Sequence, residues 1–154
     1  MRFHETVHGV WFDDLDAFQI LHNVRYLLIF ERTIGGFWQH MGWGSPLDAI
    51  IDPDANPDQY HLVRANHIEY ERPVRGVGKV RCRIWVERLG RTSLTFGFAV
   101  LPMDEDAPFA TGTRVLVRVD GRTQAPVPWT DGFRESLAPY MKAPPPQGPA
   151  PTSR

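Results

Sequence analysis

The chain has 154 residues, enough for one domain with a real hydrophobic core and too few to expect two. Its 17 Lys and Arg against 18 Asp and Glu give a formal net charge of −1, which offers no bulk attraction to nucleic acid or to an anionic membrane. A hydrophobic share of 42% with 12% aromatics excludes a disordered or fibrous chain, and the single cysteine, Cys82, excludes an internal disulfide and fits a reducing compartment.

The opening MRFHETVHGVWF is too polar for a secretion signal, and no later apolar run approaches transmembrane length, so a soluble, cytoplasmic protein is expected. Residues 3–12 alternate, with Phe3, Val7 and Trp11 on one side, and predict a first strand. From Val24 the period becomes helical: Val24, Leu27, Leu28, Ile34, Trp38 and Met41 predict a helix over 23–41, with Asn23 as N-cap and Gly42 and Gly44 as stop. Gly35 and Gly36 inside it cost about 1 kcal/mol each relative to alanine, which close approach of a sheet to the helix would explain. Residues 44–60 are rich in Pro, Asp and Asn and read as a connection.

Four strands are predicted next, over 61–72, 79–88, 92–102 and 109–119. The first has the weakest signal and is closed by Pro73; the last shows Val115, Val117 and Val119 on one side. Thr130 caps a short helix running to about Tyr140. The stretch KAPPPQGPAPTSR has too little apolar content to fold, which divides the chain into a domain over 1–141 and a Pro-rich disordered tail over 142–154. One strand, one long helix and four strands joined by short links form an α+β pattern, an antiparallel sheet packed on a single helix.

No metal site is expected. His4 and His8 share a strand face without a third ligand nearby, and His61 and His67 fail for the same reason. Cys82, among alternating apolar residues, reads as a small buried hydrophobe. There is no GxSxG elbow, and RGVGKV lacks the frame of a phosphate-binding loop. The acids of FDDLDAFQILHNVRYLLIFER, residues 12–32, carry more information. Asp13, Asp14 and Asp16 precede a helix start, whose partial positive charge alone favours acids there. Asp16 is also followed by the apolar AFQIL, which partly desolvates it, and the unpaired N–H groups near Asn23 face the same place and suit an oxyanion. Glu31 falls on the apolar stripe, where an unpaired acid is costly, so it needs a partner or a role.

The run DLDAFQILHNVRYLLIFE, residues 14–31, resembles the signature of hotdog-fold acyl-CoA thioesterases of the 4-hydroxybenzoyl-CoA thioesterase family. YERPVRGVGKVRCRIWVERLGRTSLTF (70–96) and ATGTRVLVRVDGRTQAPVPW (110–129) are similar to that family's later strands, so the resemblance covers the chain up to the tail. It implies a hotdog fold, a long central helix wrapped by a five- to six-stranded antiparallel sheet. It implies that Asp16 is the catalytic aspartate and that the Asn23 N–H binds the thioester carbonyl oxygen. Gln19, His22, Tyr26, Glu31, His67 and Arg91 are the substrate-binding candidates, with Arg91 near coenzyme A phosphates; Arg72, Arg75, Lys79 and Arg88 are further basic candidates.

The implied reaction is hydrolysis of an acyl- or aroyl-CoA, or an acyl-carrier-protein thioester, to free acid and thiol. It needs no cofactor, and the implied assembly is a homodimer or homotetramer. A non-catalytic acyl-CoA binder or sensor, and a hotdog hydratase or dehydratase using His22 as base, are the alternatives. Three departures stand out: Gln19 where the family usually has glycine, Ile20 for the commoner histidine, and Lys79 for the usual aspartate.

Overall fold

The computed structural model describes residues 2–43 and 56–142. The proline-rich stretch after Lys142 and most of the 44–60 connection lie outside the described residues. Strands β1 (His4–Val10), β2 (His61–Tyr70), β3 (Gly78–Leu89), β4 (Ser93–Leu101) and β5 (Ala110–Arg118) form one five-stranded sheet in the order β1-β3-β4-β5-β2. All pairings are antiparallel. Helix α1 (Arg25–His40) lies on one face, and a short helix α2 (Asp131–Leu137) closes the far end of the core. The α+β pattern and the five-stranded antiparallel sheet are those expected, and they fit a hotdog-like fold. The stretch with the weakest strand signal, 61–72, forms a ten-residue edge strand paired along β5.

Period-two alternation builds the core. Val80, Cys82, Ile84 and Val86 of β3 and Leu94, Phe96, Phe98 and Val100 of β4 are all buried. Burying an aliphatic or aromatic side chain of this size contributes about 1.5–3 kcal/mol. Cys82 is fully enclosed, and burial pushes its thiol up to about 12, so no thiolate nucleophile is available there.

The buried face of α1 is rotated from the expected stripe. Tyr26, Ile29, Phe30, Thr33, Ile34 and Phe37 are buried, whereas Val24 is 60% exposed and Leu27, Leu28 and Trp38 are half-buried. Phe30 stacks on Phe98 at 4.1 Å between ring centroids, and Phe37 meets Phe96 edge-on at 5.7 Å. The polar member, Thr33, hides the true period. Its hydroxyl bonds to the Ile29 carbonyl at 2.8 Å and to Thr6 and His8 of β1 at 3.0 and 2.9 Å, so it enters the core satisfied.

The helix glycines also need correction. A Cβ on Gly35 would meet nothing within 4 Å, so no sheet approaches there; only Gly36 faces β1, at 3.5 Å from His4 and 3.7 Å from Thr6. The stop signal acts as expected, with Gly42 at φ +89° and its N–H bonded to the Gln39 carbonyl at 3.0 Å. At the other end, the N-cap is Val24 and the helix begins at Arg25. Asn23 sits one residue before the cap position, and no side chain caps the helix start.

α2 is capped as expected by Thr130, whose hydroxyl accepts the Phe133 N–H at 3.3 Å. The buried Asp58 carboxylate in turn accepts the Thr130 N–H at 3.0 Å and its hydroxyl at 2.5 Å. No helix among the described residues is long and apolar enough to cross a membrane.

Candidate active site

Ahead of α1 the chain folds into two turns that divide the labour among the three acids. Asp14 is structural: its Oδ2 accepts the Trp11 N–H at 2.8 Å and its Oδ1 lies 3.6 Å from Arg25 Nε. Asp13 offers only its carbonyl, at 3.5 Å from Arg25 Nη2. Asp16 begins a tight loop. Its N–H bonds to the Ile20 carbonyl at 2.9 Å, and its Oδ1 accepts the N–H groups of Phe18 at 2.8 Å and Ile20 at 3.4 Å. Two amide donors hold the carboxylate by one oxygen, and among the described residues Oδ2 has no partner and no cation pairs with the group.

The loop closes because Gln19 adopts φ +62°, the left-handed region that favours glycine. Its carbonyl accepts the Gly76 N–H at 2.9 Å, and the Leu21 N–H bonds to the Val74 carbonyl at 2.9 Å, which ties the loop to the segment entering β3. The departure from glycine at this position is therefore a departure in backbone cost.

Asp16, Asn23 and Tyr26 line one cleft of about 420 Å³, together with Ile20, Leu21, Tyr70, Glu71, Arg72 and Pro73. The Asn23 N–H has no acceptor among the described residues, while its carbonyl accepts the Tyr70 hydroxyl at 3.1 Å. Tyr26 is buried, which pushes its phenol above the ordinary range. Its ring meets that of Tyr70 edge-on at 5.1 Å. The cleft thus has a wall in which Ile20, Leu21 and Pro73 join two tyrosines, one carboxylate with a free oxygen and one amide without an acceptor just ahead of a helix. That set can polarise a carbonyl and take a proton.

The other sequence candidates are dispersed. Gln19 and His22 border the loop without lining the cleft, and His22 Nδ1 accepts the Val24 N–H at 3.4 Å. His67 lies on the opposite face of β2 from Tyr70, with Nε2 3.4 Å from Glu69 Oε1. Arg91 is in the turn joining β3 to β4, a full length of β3 away from the cleft, about 35 Å at 3.3 Å per residue. Arg88 shares that end, whereas Arg72 lines the cleft with its guanidinium held by Glu105 at 2.5 Å and the Ala107 carbonyl at 2.7 Å.

Glu31 is not a buried acid. Its side chain is 59% exposed and pairs with Arg114, and it is the arginine that is enclosed, at 6%. Arg114 also donates to Asn66 Oδ1 at 2.8 Å and lies over the Phe30 ring at 4.8 Å. The core face of β5 is accordingly Ala110, Arg114 and Leu116, and the expected face of Val115 and Val117 is its half-buried reverse. Among the described residues no three His, Cys, Asp or Glu side chains converge as a metal site would require.

Comparison with solved structures gives the same architecture. A thioesterase from Thermus thermophilus, complexed with coenzyme A and Zn, is similar at 24% identity over 91% of this chain and 95% of that one, with a TM-score of 0.72. A hypothetical protein from Staphylococcus aureus in complex with CoA is similar at 14% identity over 94% and 87%, with a TM-score of 0.74. A predicted thioesterase from Bacillus stearothermophilus is similar at 19% identity over 94% and 100%, with a TM-score of 0.72. At these identities the likeness is one of fold, and no curated protein matches the sequence. Residues 10–137, which include the Asp16 loop, α1 and all but the start of the sheet, match the model of the thioesterase-like superfamily, and the chain belongs to that superfamily.

Proposed function

We propose that the protein is an acyl-CoA thioesterase of the 4-hydroxybenzoyl-CoA thioesterase type, with α1 as the central helix of a hotdog domain. The observation that carries this reading is the cleft that Asp16, unpaired with any cation among the described residues, lines together with Asn23, whose N–H has no acceptor among them. A sensor with no chemistry has less use for a half-buried carboxylate held by one oxygen and open at the other. A hydratase using His22 as base is disfavoured, because His22 lies outside the cleft lining.

In this reading the thioester carbonyl oxygen accepts the Asn23 N–H, which stabilises the charge that builds as the carbonyl carbon becomes tetrahedral. Asp16 Oδ2 takes a proton from water as the water oxygen bonds to that carbon, or bonds to it directly to give an anhydride that water then opens. Either way the C–S bond breaks, the sulfur leaves as thiolate and is protonated, and the acyl group leaves as the acid. Ile20, Leu21, Tyr26, Tyr70 and Pro73 supply an apolar wall for the acyl group. The carrier is coenzyme A or acyl carrier protein. Two solved structures of this fold contain coenzyme A, which favours the former.

The working assembly is a homodimer or higher homo-oligomer. β2 is an edge strand on which Leu62, Val63 and Tyr70 are each 50% exposed, an edge that a monomer would keep polar or cover. In that assembly His67, on the opposite face of β2 from Tyr70, and Arg91, a length of β3 away from the cleft, serve the neighbouring copy. Thiol release from short, long and aromatic acyl-CoAs by the wild type and Asp16→Asn tests the reaction. No turnover on any ester, with saturable acyl-CoA binding, would replace this reading by the sensor.

A further inference from the structure

We infer that Tyr70 is a positioning residue for the oxyanion donor, an inference that rests on the thioesterase reading above: its hydroxyl fixes the Asn23–Val24 peptide and, through the Asn23 Cα, limits rotation of the neighbouring His22–Asn23 peptide, whose N–H is the donor. Tyr70 stands at the end of β2 and reaches across 47 residues of sequence to the Asn23 carbonyl, 3.1 Å away. This carbonyl has no place in the helix ladder. Because α1 begins at Arg25 with Val24 as N-cap, the Asn23 carbonyl lies one residue before the first acceptor of the helix, and a side-chain donor takes over.

The turn is thereby held on both sides of the Asn23 Cα. On one side the His22 carbonyl accepts the Arg25 N–H at 2.9 Å, and the His22 N–H bonds to the Asp14 carbonyl at 2.9 Å. On the other side the only strap among the described residues is Tyr70. The aromatic ring is itself braced, edge-on to Tyr26, which is 3% exposed, so the hydroxyl is aimed rather than loose. An oxyanion donor acts only when it is aligned with the charge before the reaction starts, so an error of a fraction of an ångström in the His22–Asn23 peptide, let in when the next peptide loses its strap, weakens it. The Asn23 carbonyl is at the surface, where water replaces a lost hydroxyl without much change in stability. Activity and stability therefore separate.

The test is Tyr70→Phe in the full chain, assayed beside the wild type and Asp16→Asn on the same thioester, with thermal unfolding and a pH–rate profile. The expected result is a kcat lowered about tenfold with KM within about twofold, an unchanged Tm and the wild-type pH profile. A wild-type kcat in the Phe variant overturns the inference. So does a raised KM at constant kcat, which makes the Tyr70 hydroxyl a substrate-binding contact rather than a strap, and so does a shifted pH profile, which makes it a proton donor. Wild type without turnover on any ester rejects the thioesterase reading and the positioning role with it, whereas wild-type turnover abolished in Asp16→Asn but intact in Tyr70→Phe rejects the positioning role alone.

Discussion

Gln19 presents its backbone carbonyl to the Gly76 N–H at 2.9 Å while its own φ is +62°, so the residue that closes the Asp16 loop does so in a conformation that a side chain makes costly. Glycine at this position removes that cost. Gln19→Gly is expected to raise stability by about 0.5–1 kcal/mol and Gln19→Val to lower it by about 1–2 kcal/mol, read as shifts of urea midpoint at constant slope. A loss of stability in the glycine variant would mean that the Gln19 side chain contributes more than its backbone costs.

Arg114 and Glu31 are unequal partners, because the cation is enclosed and the acid is not. Arg114→Ala removes the stem packed on Phe30 and strands Asn66, and should cost about 2–4 kcal/mol. Glu31→Gln leaves a hydrogen-bonding amide at an exposed position and should cost about 1 kcal/mol or less. Equal losses in chemical denaturation would contradict the asymmetry.

Two glycines give opposite forecasts. At Gly112 a Cβ would collide with the His67 carbonyl and lie 2.5 Å from the Phe98 ring, so Gly112→Ala has to move the β2–β5 pairing or the core and should cost about 1–3 kcal/mol. Gly35 is exposed in mid-helix with nothing near it, so Gly35→Ala should gain about 0.5–1 kcal/mol. Thermal unfolding of both variants orders them against the wild type, and a destabilised Gly35→Ala would show that the surface there is covered in solution.

His4, His8 and His61 are each held below the ordinary imidazole value, chiefly by burial, with His40 adding to the effect at His4 and Arg32 at His8. Well above pH 6.5 these groups are neutral in both states and exert no pH dependence. As pH falls below 6.5 the unfolded chain binds protons before the fold does, so stability drops until pH passes the lowered folded values. A second, more acidic loss follows from Asp106, held down by its hydrogen bond to Arg81, and Asp120, held down by the Thr123 and Arg122 amides. Urea midpoints should therefore already fall between pH 6.5 and about 5.5, and a flat midpoint in that interval would contradict the histidine assignment.

Much of the architecture was legible in the sequence because alternation in β3 and β4 and the helical period after Val24 are strong, local signals. The positions of Thr33 and Arg114 were not, and for one reason. Each is a polar residue that reaches the core only because a distant element satisfies it, Thr6 and His8 for the first, and Glu31 and Asn66 for the second. A pattern of apolar residues skips such positions and rotates the inferred face. The same limit applies at the site. Asp16 and Asn23 stood out from their place before a helix, but the Asp16 loop depends on Val74 and Gly76, and the Asn23 turn on Tyr70, contacts that only the fold brings together. Arg91 stood out through resemblance as a residue near the coenzyme A phosphates, and the length of β3 separates it from the Asp16 cleft within one chain.

In the proposed reaction the Asp16 carboxylate drives hydrolysis of a thioester bound against the Asn23 N–H. Free thiol released from a panel of acyl-CoAs by the wild type and by Asp16→Asn, both folded by circular dichroism, tests it most directly. Turnover by the wild type is expected, with a loss of at least about a hundredfold in kcat on the replacement, the scale set by removing a general base or nucleophile. Wild-type rates in Asp16→Asn would contradict it and return Asp16 to a structural acid of its loop.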